Sequence, residues 1–492
     1  MLEGIGRASR HPAAAIAGCA LALVLVMGAM TRRGPALADE FVYLAGGRHL
    51  ATAGSLDARY YDAAAILQRG LPHHDVHTPG YVIALGAAMA VAGATYEAAI
   101  ALNVAAYIAG ALCVFLIARA LGQGERGCRL AALAFLVLPV SLAYVYWAMA
   151  ELVLGAIFLA CFAVAAGSRG RSRAIAAGIL FGAAFLVRES ALFGLPALLA
   201  LLPSPRRRIE CALAAGAFCI LVYAPLSAGR APGGANFWSP TSGRAFAHRA
   251  VQSAGAGRWG QAATLALERA ADNARDLAGA PAAEQGVLGL YVALPLVAAI
   301  GWRRRPVPQR RYLLALAAGY AAMIGVLFVL YVVAQWSGPR YLMILAIAFL
   351  PMLAPPRGGS RCEWMPAVAV VLLSALVQAG VVRAFDDYKA SRQRRQENLT
   401  AYVEERVAPG GFGRIALTNG WLFGWRHPGV EVISSLPADG GTLRLLERAA
   451  WFDYLVLPGD SALGAEWDAR TRYERVNAGE ADAPLRVYRR LR

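Results

Sequence analysis

Apolar residues come along this chain in long runs separated by short arginine-bearing turns. The runs that reach or approach the length of a bilayer crossing are 12–30, 96–120, 128–147, 151–167, 173–188, 190–203, 209–227, 286–302, 311–334, 340–356 and 364–383. A helix needs roughly 20 residues to cross, with tilt and mismatch giving latitude. The run 190–203 is short, and Arg206, Arg207 and Arg208 behind it suit snorkelling to the interface. One more apolar run, "PGYVIALGAAMAVAG" (79–93), is shorter than most and helix-unfriendly at both ends.

The arginines decide whether that run crosses. If it does not, the inner segments hold Arg7 and Arg10, the arginines at 119–129, 169–173, 206–208 and 303–311, and Arg357 and Arg361, while the short outer turns hold only Arg188 and Arg340. Counting 79–93 as a span would invert everything after it and put most of those arginines outside. The run therefore reads as a re-entrant or interfacial helix within one long outer loop, 31–95. The expectation is eleven spans, an inner N-terminus and an outer C-terminus. The first run also has the outline of a cleavable signal peptide ending at "ALA" before Asp39. Its apolar part exceeds a typical h-region, and Arg32 and Arg33 separate it from that site, so an uncleaved first helix is expected.

Within the outer loop, Leu37, Phe41, Leu44 and Ala45 follow helical spacing, as do Tyr60, Ala64, Leu67 and Leu71. Two amphipathic helices lying in the interface are predicted, with Asp57 as N-cap of the second. A second outer loop, 228–285, opens with "GRAPGGANFWSP" and continues into an amphipathic stretch around 258–278. From 384 the pattern changes. "RIALTNG" (414–420), "VEVISSL" (430–436), "DYLVLPG" (453–459) and "LRVYRRL" (485–491) read as short strands, alternating with helical stretches around 386–406 and 440–450. The fold class is an all-α polytopic membrane domain, 1–383, followed by a small α/β domain on the outer face, 384–492.

Composition agrees with that pattern. Apolar residues make up 58% of the 492 positions and charged residues 16%, and mean hydropathy is +0.48, which is a membrane rather than a soluble balance. The net charge of +17 is almost wholly arginine, with Lys389 the single lysine. That leaves no membrane-embedded lysine for Schiff-base chemistry. Because the arginines gather between apolar runs and not among exposed aromatics, they trace topology and exclude nucleic acid as a partner. The seven cysteines have neither metal-ligand spacing nor a disulfide framework and read as small core residues. "NLT" at 398–400 matches a glycosylation sequon and carries no weight here.

Under this topology three acids meet at the outer interface: Asp39 and Glu40 after the first span, and Glu151 after "YVYWAMA". Taken singly, each is also what a helix N-terminus favours. Arg188 with Glu189, and Arg340 with Tyr341, stand at the same depth, and Gly338 and Pro339 turn the chain just before Arg340. Ionisable groups at bilayer depth are costly and usually have a partner or a task. Arginine pairs with phosphate in bidentate geometry, and a carboxylate can deprotonate an incoming hydroxyl or amine. Acids and arginines in one cavity at the lipid boundary would suit a phosphate-bearing lipid substrate.

Several segments resemble the GT-C membrane glycosyltransferases, in the branch of protein mannosyltransferases and aminoarabinose transferases. "DEFVYLAGGRHLATAG" resembles that family's D-E-x-x-Y motif followed by A-x-x-L-x-x-G, and "TPGYVIALGAAM" its P-P-G-Y-type interfacial helix. "AAGILFGAAFLVRES" is similar to its G-x-x-x-G-x-A-F-L-T-[KR] span, and "GPRYLMILAIAFLPMLA" to its R-Y-L-x-x-x-x-P segment. "RIALTNGWLFGW" resembles the T-N-G start of outer domains in related enzymes. The resemblance implies a GT-C-like fold and a polyprenyl-phosphate sugar donor. It also implies an acceptor that is lipid, glycan or protein, and transfer with inversion on the outer face of a bacterial-type inner membrane. It assigns Asp39 as base or acceptor-orienting acid with Glu40 in support, Glu151 as a further acid, and Arg188 and Arg340 to the carrier phosphate. His77, Tyr81, Glu189 and Tyr341 are further candidates for substrate binding.

Where the family often has two prolines or Glu-Lys-Pro, this chain has "HHDVHTPGY". His73 and His77 stand four apart, and some relatives hold a metal near here, yet Pro72 and Pro79 oppose a regular helix. Solvated loop histidines are the favoured reading, a divalent metal is compatible but not required, and His77 can fill the polar role of a lysine. Two other functions compete: a ligase moving a whole lipid-linked glycan, and a transporter or flippase. Transporters tend to show internal repeats and charges near the midplane, and here no repeat is visible and the charges gather at one face.

Overall fold

The computed structural model describes residues 12–31, 34–54, 60–62, 79–167, 170–227, 250, 252–330, 337–355, 361–406, 414–417, 420–435, 447, 452–458, 467–470, 472–477 and 485–491. Helices follow the apolar runs closely. They are α1 (Pro12–Met30), α2 (Ala38–Ala53), α3 (Gly80–Ala92), α4 (Tyr96–Ala120), α5 (Glu125–Leu136) and α6 (Pro139–Ala143), then α7 (Glu151–Ala166), α8 (Arg171–Val187), α9 (Leu195–Leu201) and α10 (Pro205–Ser227). After the second loop come α11 (Trp259–Ala278), α12 (Ala282–Ala298), α13 (Val307–Leu330), α14 (Ser337–Phe349) and α15 (Arg361–Arg406). Among the described residues α1, α4, α13 and α15 are long and apolar enough to cross a bilayer, or up to six crossings if each bent pair counts as one. The bent pairs are α5–α6 and α11–α12, the second turning through 117° where the amphipathic stretch 258–278 gives way to an apolar one. The other expected spans fall on helices that are shorter or begin among arginines. The chain is a multi-pass membrane protein.

The run 79–93 forms α3, whose 13 residues reach about 20 Å, short of the roughly 30 Å of a hydrocarbon core. It packs against α2. Between α8 and α10, Gly178 and Gly182 face the backbone of the partner helix at Cys211 and Ala215, where a Cβ would collide. Small residues four apart bring membrane helices close in this way.

The small sheet has the order β1-β3-β2-β4-β6-β5. Its strands are β1 (Tyr60–Asp62), β2 (Arg414–Leu417), β3 (Glu431–Ser435), β4 (Tyr454–Pro458), β5 (Tyr473–Arg475) and β6 (Leu485–Arg490), with α16 (Trp421–Arg426) after β2. Pairing is parallel from β1 through β4, and β6 runs antiparallel to β4 and β5. Four of these strands lie where the sequence predicts them. The fifth and sixth do not: β5 is only three residues long, and β1 comes from the first loop, where a helix was expected from Tyr60. Tyr60 and Tyr61 suit a strand, and the open parallel edge of β3 gives them a ladder to join. The rest of that expected helix, the histidine segment at 73–77, the first part of the second loop at 228–249 and most of 440–450 lie outside the described residues.

Two elements tie the sheet to the bundle. Helix α15 is continuous for 46 residues, so the expected boundary at 383/384 falls inside it. Its last turns hold the sheet domain: Gln396 accepts the Leu422 amide N–H at 3.2 Å, and His427 and Glu404 share a hydrogen bond at 2.9 Å. Helix α2 belongs to both cores. Phe41 packs with Ile415, Phe423, Val432 and Val487 under the sheet, whereas Tyr43 and Leu44 pack into the membrane bundle. The residues beside Phe41 are thereby held where bundle and sheet meet.

Candidate functional site

Asp39 and Glu40 start α2, yet the fold uses them differently. The Glu40 Oε2 accepts the amide N–H groups of Ala36 (2.9 Å) and Leu37 (3.1 Å), satisfying donors that a helix start leaves open. Its Oε1 accepts the Ala148 N–H at 2.9 Å, three residues before Glu151. Glu40 is fully buried. Asp39 points the other way, into an ion pair with Arg340 at 3.0 Å, and its side chain keeps 32% of its exposure.

Arg340 is also bonded through Nε to Glu151 Oε1. The same carboxylate oxygen meets Arg188 Nη2 at 3.1 Å. Asp39, Arg340, Glu151 and Arg188 thus form one chain of alternating charge, two of each sign, drawn from α2, α14, α7 and the end of α8. The Glu151 side chain is 1% exposed, and Arg188 and Arg340 are 9% and 14% exposed. Burying Glu151 alone would be prohibitive, and two guanidinium groups make it tolerable. The second Glu151 oxygen and the Arg188 Nε are buried without a hydrogen-bond partner among the described residues. The Tyr341 ring lies under both arginines, 5.1 Å from the Arg188 guanidinium carbon and 5.9 Å from that of Arg340.

Local backbone explains these placements. Arg188 is extended, with φ −158° and ψ 136°, as the residue that ends α8, so its side chain leaves the helix axis. Gly80, at the start of α3, sits so close to the Leu186–Val187 peptide just before Arg188 that a Cβ would come within 2.6 Å of the Leu186 carbonyl. Tyr81 is fully buried, its ring edge-on to Tyr43 at 4.7 Å. Glu189 is half-buried in the 3-10 turn Glu189–Gly194. His73 and His77 lie outside the described residues, and among those described no group of three or more metal-ligating side chains occurs.

Some of the arrangement escaped the sequence reading. Lys389 is buried beside Glu40, with Nζ 3.9 Å from Oε1. A second feature is a cavity of about 290 Å³ between α2 and α16, lined by Arg48, His49, Thr52, Trp425 and Pro428. The Arg48 guanidinium carbon stacks 3.2 Å from the Trp425 ring centre and its Nη1 donates to the Trp425 carbonyl at 2.9 Å. A lone lysine in a chain that otherwise uses arginine was the one signal available for the first. Nothing in the sequence marked the second.

No protein-family model and no curated protein matches the chain. Solved structures do. ArnT from Cupriavidus metallidurans bound to undecaprenyl phosphate superposes with a TM-score of 0.59 at 12% identity, over 96% of this chain and 97% of that one. Its apo state gives 0.57 at 12% identity, covering 96% of each. The Archaeoglobus fulgidus oligosaccharyltransferase in complex with Zn and sulfate gives 0.54 at 14% identity, over 90% of this chain and 68% of that chain. At such identities the likeness is one of fold. The GT-C-like architecture with a small C-terminal sheet, expected from the sequence, is the fold observed.

Proposed function

We propose that this protein is a membrane glycosyltransferase that moves a sugar from a polyprenyl-phosphate donor to an acceptor at the extracytoplasmic face of a bacterial-type inner membrane. The observation that carries the reading is the chain Asp39–Arg340–Glu151–Arg188, gathered from four distant segments at the sheet-bearing end of the bundle. The fold it shares with ArnT and with an oligosaccharyltransferase supports the reaction class, and the undecaprenyl phosphate bound by ArnT supports a lipid-phosphate carrier.

In this reading Arg188 and Arg340 receive the donor phosphate, for which guanidinium groups are suited in geometry and charge. Glu151 holds both arginines and Tyr341 floors them. Asp39, at the accessible end of the chain, takes the proton of the acceptor hydroxyl or amine within hydrogen-bond reach. The acceptor lone pair forms the new bond to the anomeric carbon from the face opposite the phosphate. The old carbon–oxygen bond breaks, its electrons leave with the polyprenyl phosphate, and the configuration inverts. Arg188 and Arg340 stabilise the leaving group. Glu40 acts from one step back, by holding the start of α2 and Ala148. Tyr81 and Glu189 belong to the surroundings of the site, and the cavity beside Arg48 offers the acceptor room about 14 Å along α2 from Asp39.

The test is donor consumption. Purified protein in proteoliposomes is incubated with undecaprenyl-phosphate aminoarabinose, undecaprenyl-phosphate mannose and related donors. Release of undecaprenyl phosphate from one of them is expected, and Asp39→Asn is expected to abolish transfer while leaving the folded protein intact. Full transfer by that variant overturns the base assignment, and vectorial movement of donor without cleavage turns the reading to a flippase. Cysteine labelling at position 39 tests the orientation, with access from the extracytoplasmic side expected.

A further inference from the structure

The segment Tyr144–Ala150, which delivers Glu151 to the site, is a 3-10 turn followed by irregular backbone. Non-helical backbone within a membrane bundle must have its polar groups satisfied by the protein itself. Here four buried polar side chains meet that need. Asn103 donates to the carbonyls of Tyr144 (3.2 Å) and Trp147. Glu40 accepts the Ala148 N–H. Lys389, 2% exposed, donates to the Tyr146 carbonyl at 2.6 Å and to the Tyr96 hydroxyl at 2.7 Å, and Tyr96 in turn donates to the same carbonyl at 2.6 Å.

The charge distribution adds a second observation. The Asp39–Arg340–Glu151–Arg188 chain is balanced within itself, so Glu40 must find its counter-charge elsewhere. Among the described residues the cation recorded against it is Lys389, 3.9 Å from Oε1. The ammonium lies against aromatic faces, 5.2 Å from the Tyr96 ring centre and 5.5 Å from that of Trp147. Such faces favour a cation. Lys389 comes from α15, whose continuation carries the sheet domain.

We propose that Lys389 is a positioning residue for the site: it neutralises Glu40 and clamps the Tyr144–Ala150 segment, and so sets how closely Asp39 on α2 approaches Glu151 on α7. Its importance for turnover rests on the glycosyl-transfer reading; its clamping of the segment does not. Lys389 touches neither acid of the reacting chain. It acts through Glu40, the neighbour of Asp39, and through Tyr146, five residues before Glu151. Without the ammonium, Glu40 remains as a fully buried charge with no cation beside it, the situation in which a side chain gives up its geometry. A displacement of about 1 Å at a reacting group costs on the order of 100-fold in rate.

The experiment uses full-length protein in lipid. Lys389→Met is expected to lower kcat for donor turnover about 10- to 100-fold with KM within about 2-fold, whereas Lys389→Arg, which keeps the charge, recovers most of the loss. Hydrogen exchange of peptides covering 144–150 gives a readout independent of turnover. Those amides are expected to exchange at least about tenfold faster in Lys389→Met, with peptides from α13 unchanged. Should Lys389→Met fail to fold, Tyr96→Phe removes the hydroxyl that links Lys389 to the Tyr146 carbonyl but leaves the ammonium in place, and is expected to show the same signs at reduced size. Unchanged exchange at 144–150, or unchanged kcat in a background where Asp39→Asn is inactive, overturns the proposal. Full activity of Asp39→Asn instead overturns the glycosyl-transfer reading, and the exchange data still decide the clamp.

Discussion

Helix α14 begins beside one buried arginine and ends beside another, and the two are treated in opposite ways. Arg340, at its start, meets carboxylates on both sides, Asp39 and Glu151, with an aromatic ring beneath. Arg305, past its other end, is 2% exposed and directs Nη2 at the carbonyls of Met352 (2.8 Å), Ala354 (3.2 Å) and Ile300 (3.2 Å). Carbonyl oxygens at a helix end are what the chain must satisfy wherever a helix stops inside protein. An arginine serving them completes local structure. An arginine that bridges two carboxylates from distant segments, one of them still partly open to solvent, has a charge that a ligand anion can share. Burial alone does not mark a functional arginine; the kind of partner does.

Replacing each arginine in turn tests that distinction. Arg340→Met carries the largest expected effect, a loss of about 10²- to 10³-fold in donor turnover, with about 3 kcal/mol of stability lost because Asp39 and Glu151 keep their charges. Initial-rate measurements and thermal unfolding in detergent read the two quantities separately. Arg305→Met comes next. It leaves three carbonyls short of a donor and is expected to cost about 1–3 kcal/mol in stability, with kcat within about 2-fold of the parent protein. If turnover falls equally in both variants and follows melting temperature, the two centres are both structural and the comparison dissolves. Arg48→Ala should be smallest, about 1 kcal/mol or less from the stacked Trp425 contact. It is expected to appear as faster exchange of the α16 amides, and no change there would show that the Arg48–Trp425 contact does not help to hold α16.

Much of the fold was legible because membrane helices announce themselves. The run 12–30 became α1 with the same bounds, and Glu151, the first residue of an expected span, is the first residue of α7. Arginine placement set 79–93 apart from the spans; α3 is 13 residues long, and so is α14, where a span was expected, so length by itself does not separate the two. The strand at Tyr60 was not legible, because a three-residue edge strand has no period of its own and exists only where β3 offers an open side. Of the candidate acids, sequence adjacency suggested that Asp39 and Glu40 share one task. Helix geometry sends successive side chains about 100° apart, so one meets Arg340 and the other the backbone of residues 36, 37 and 148.

The order of apolar runs, the arginine-bearing turns and the residue types in "DEFVY" and "GPRYL" are properties of the sequence, and they alone determined that this is a helical membrane protein with ionisable groups gathered at one level. Partners are a matter of distance, which no linear pattern contains. Only the packing of α2, α7, α8 and α14 decided that Glu151 lies between Arg188 and Arg340, that Asp39 closes the chain, and that the lone lysine faces Glu40. The physical reason is that a buried charge is stable only against an opposite charge or an oriented dipole, and the residue supplying it can come from 301 positions away, as Arg340 does for Asp39.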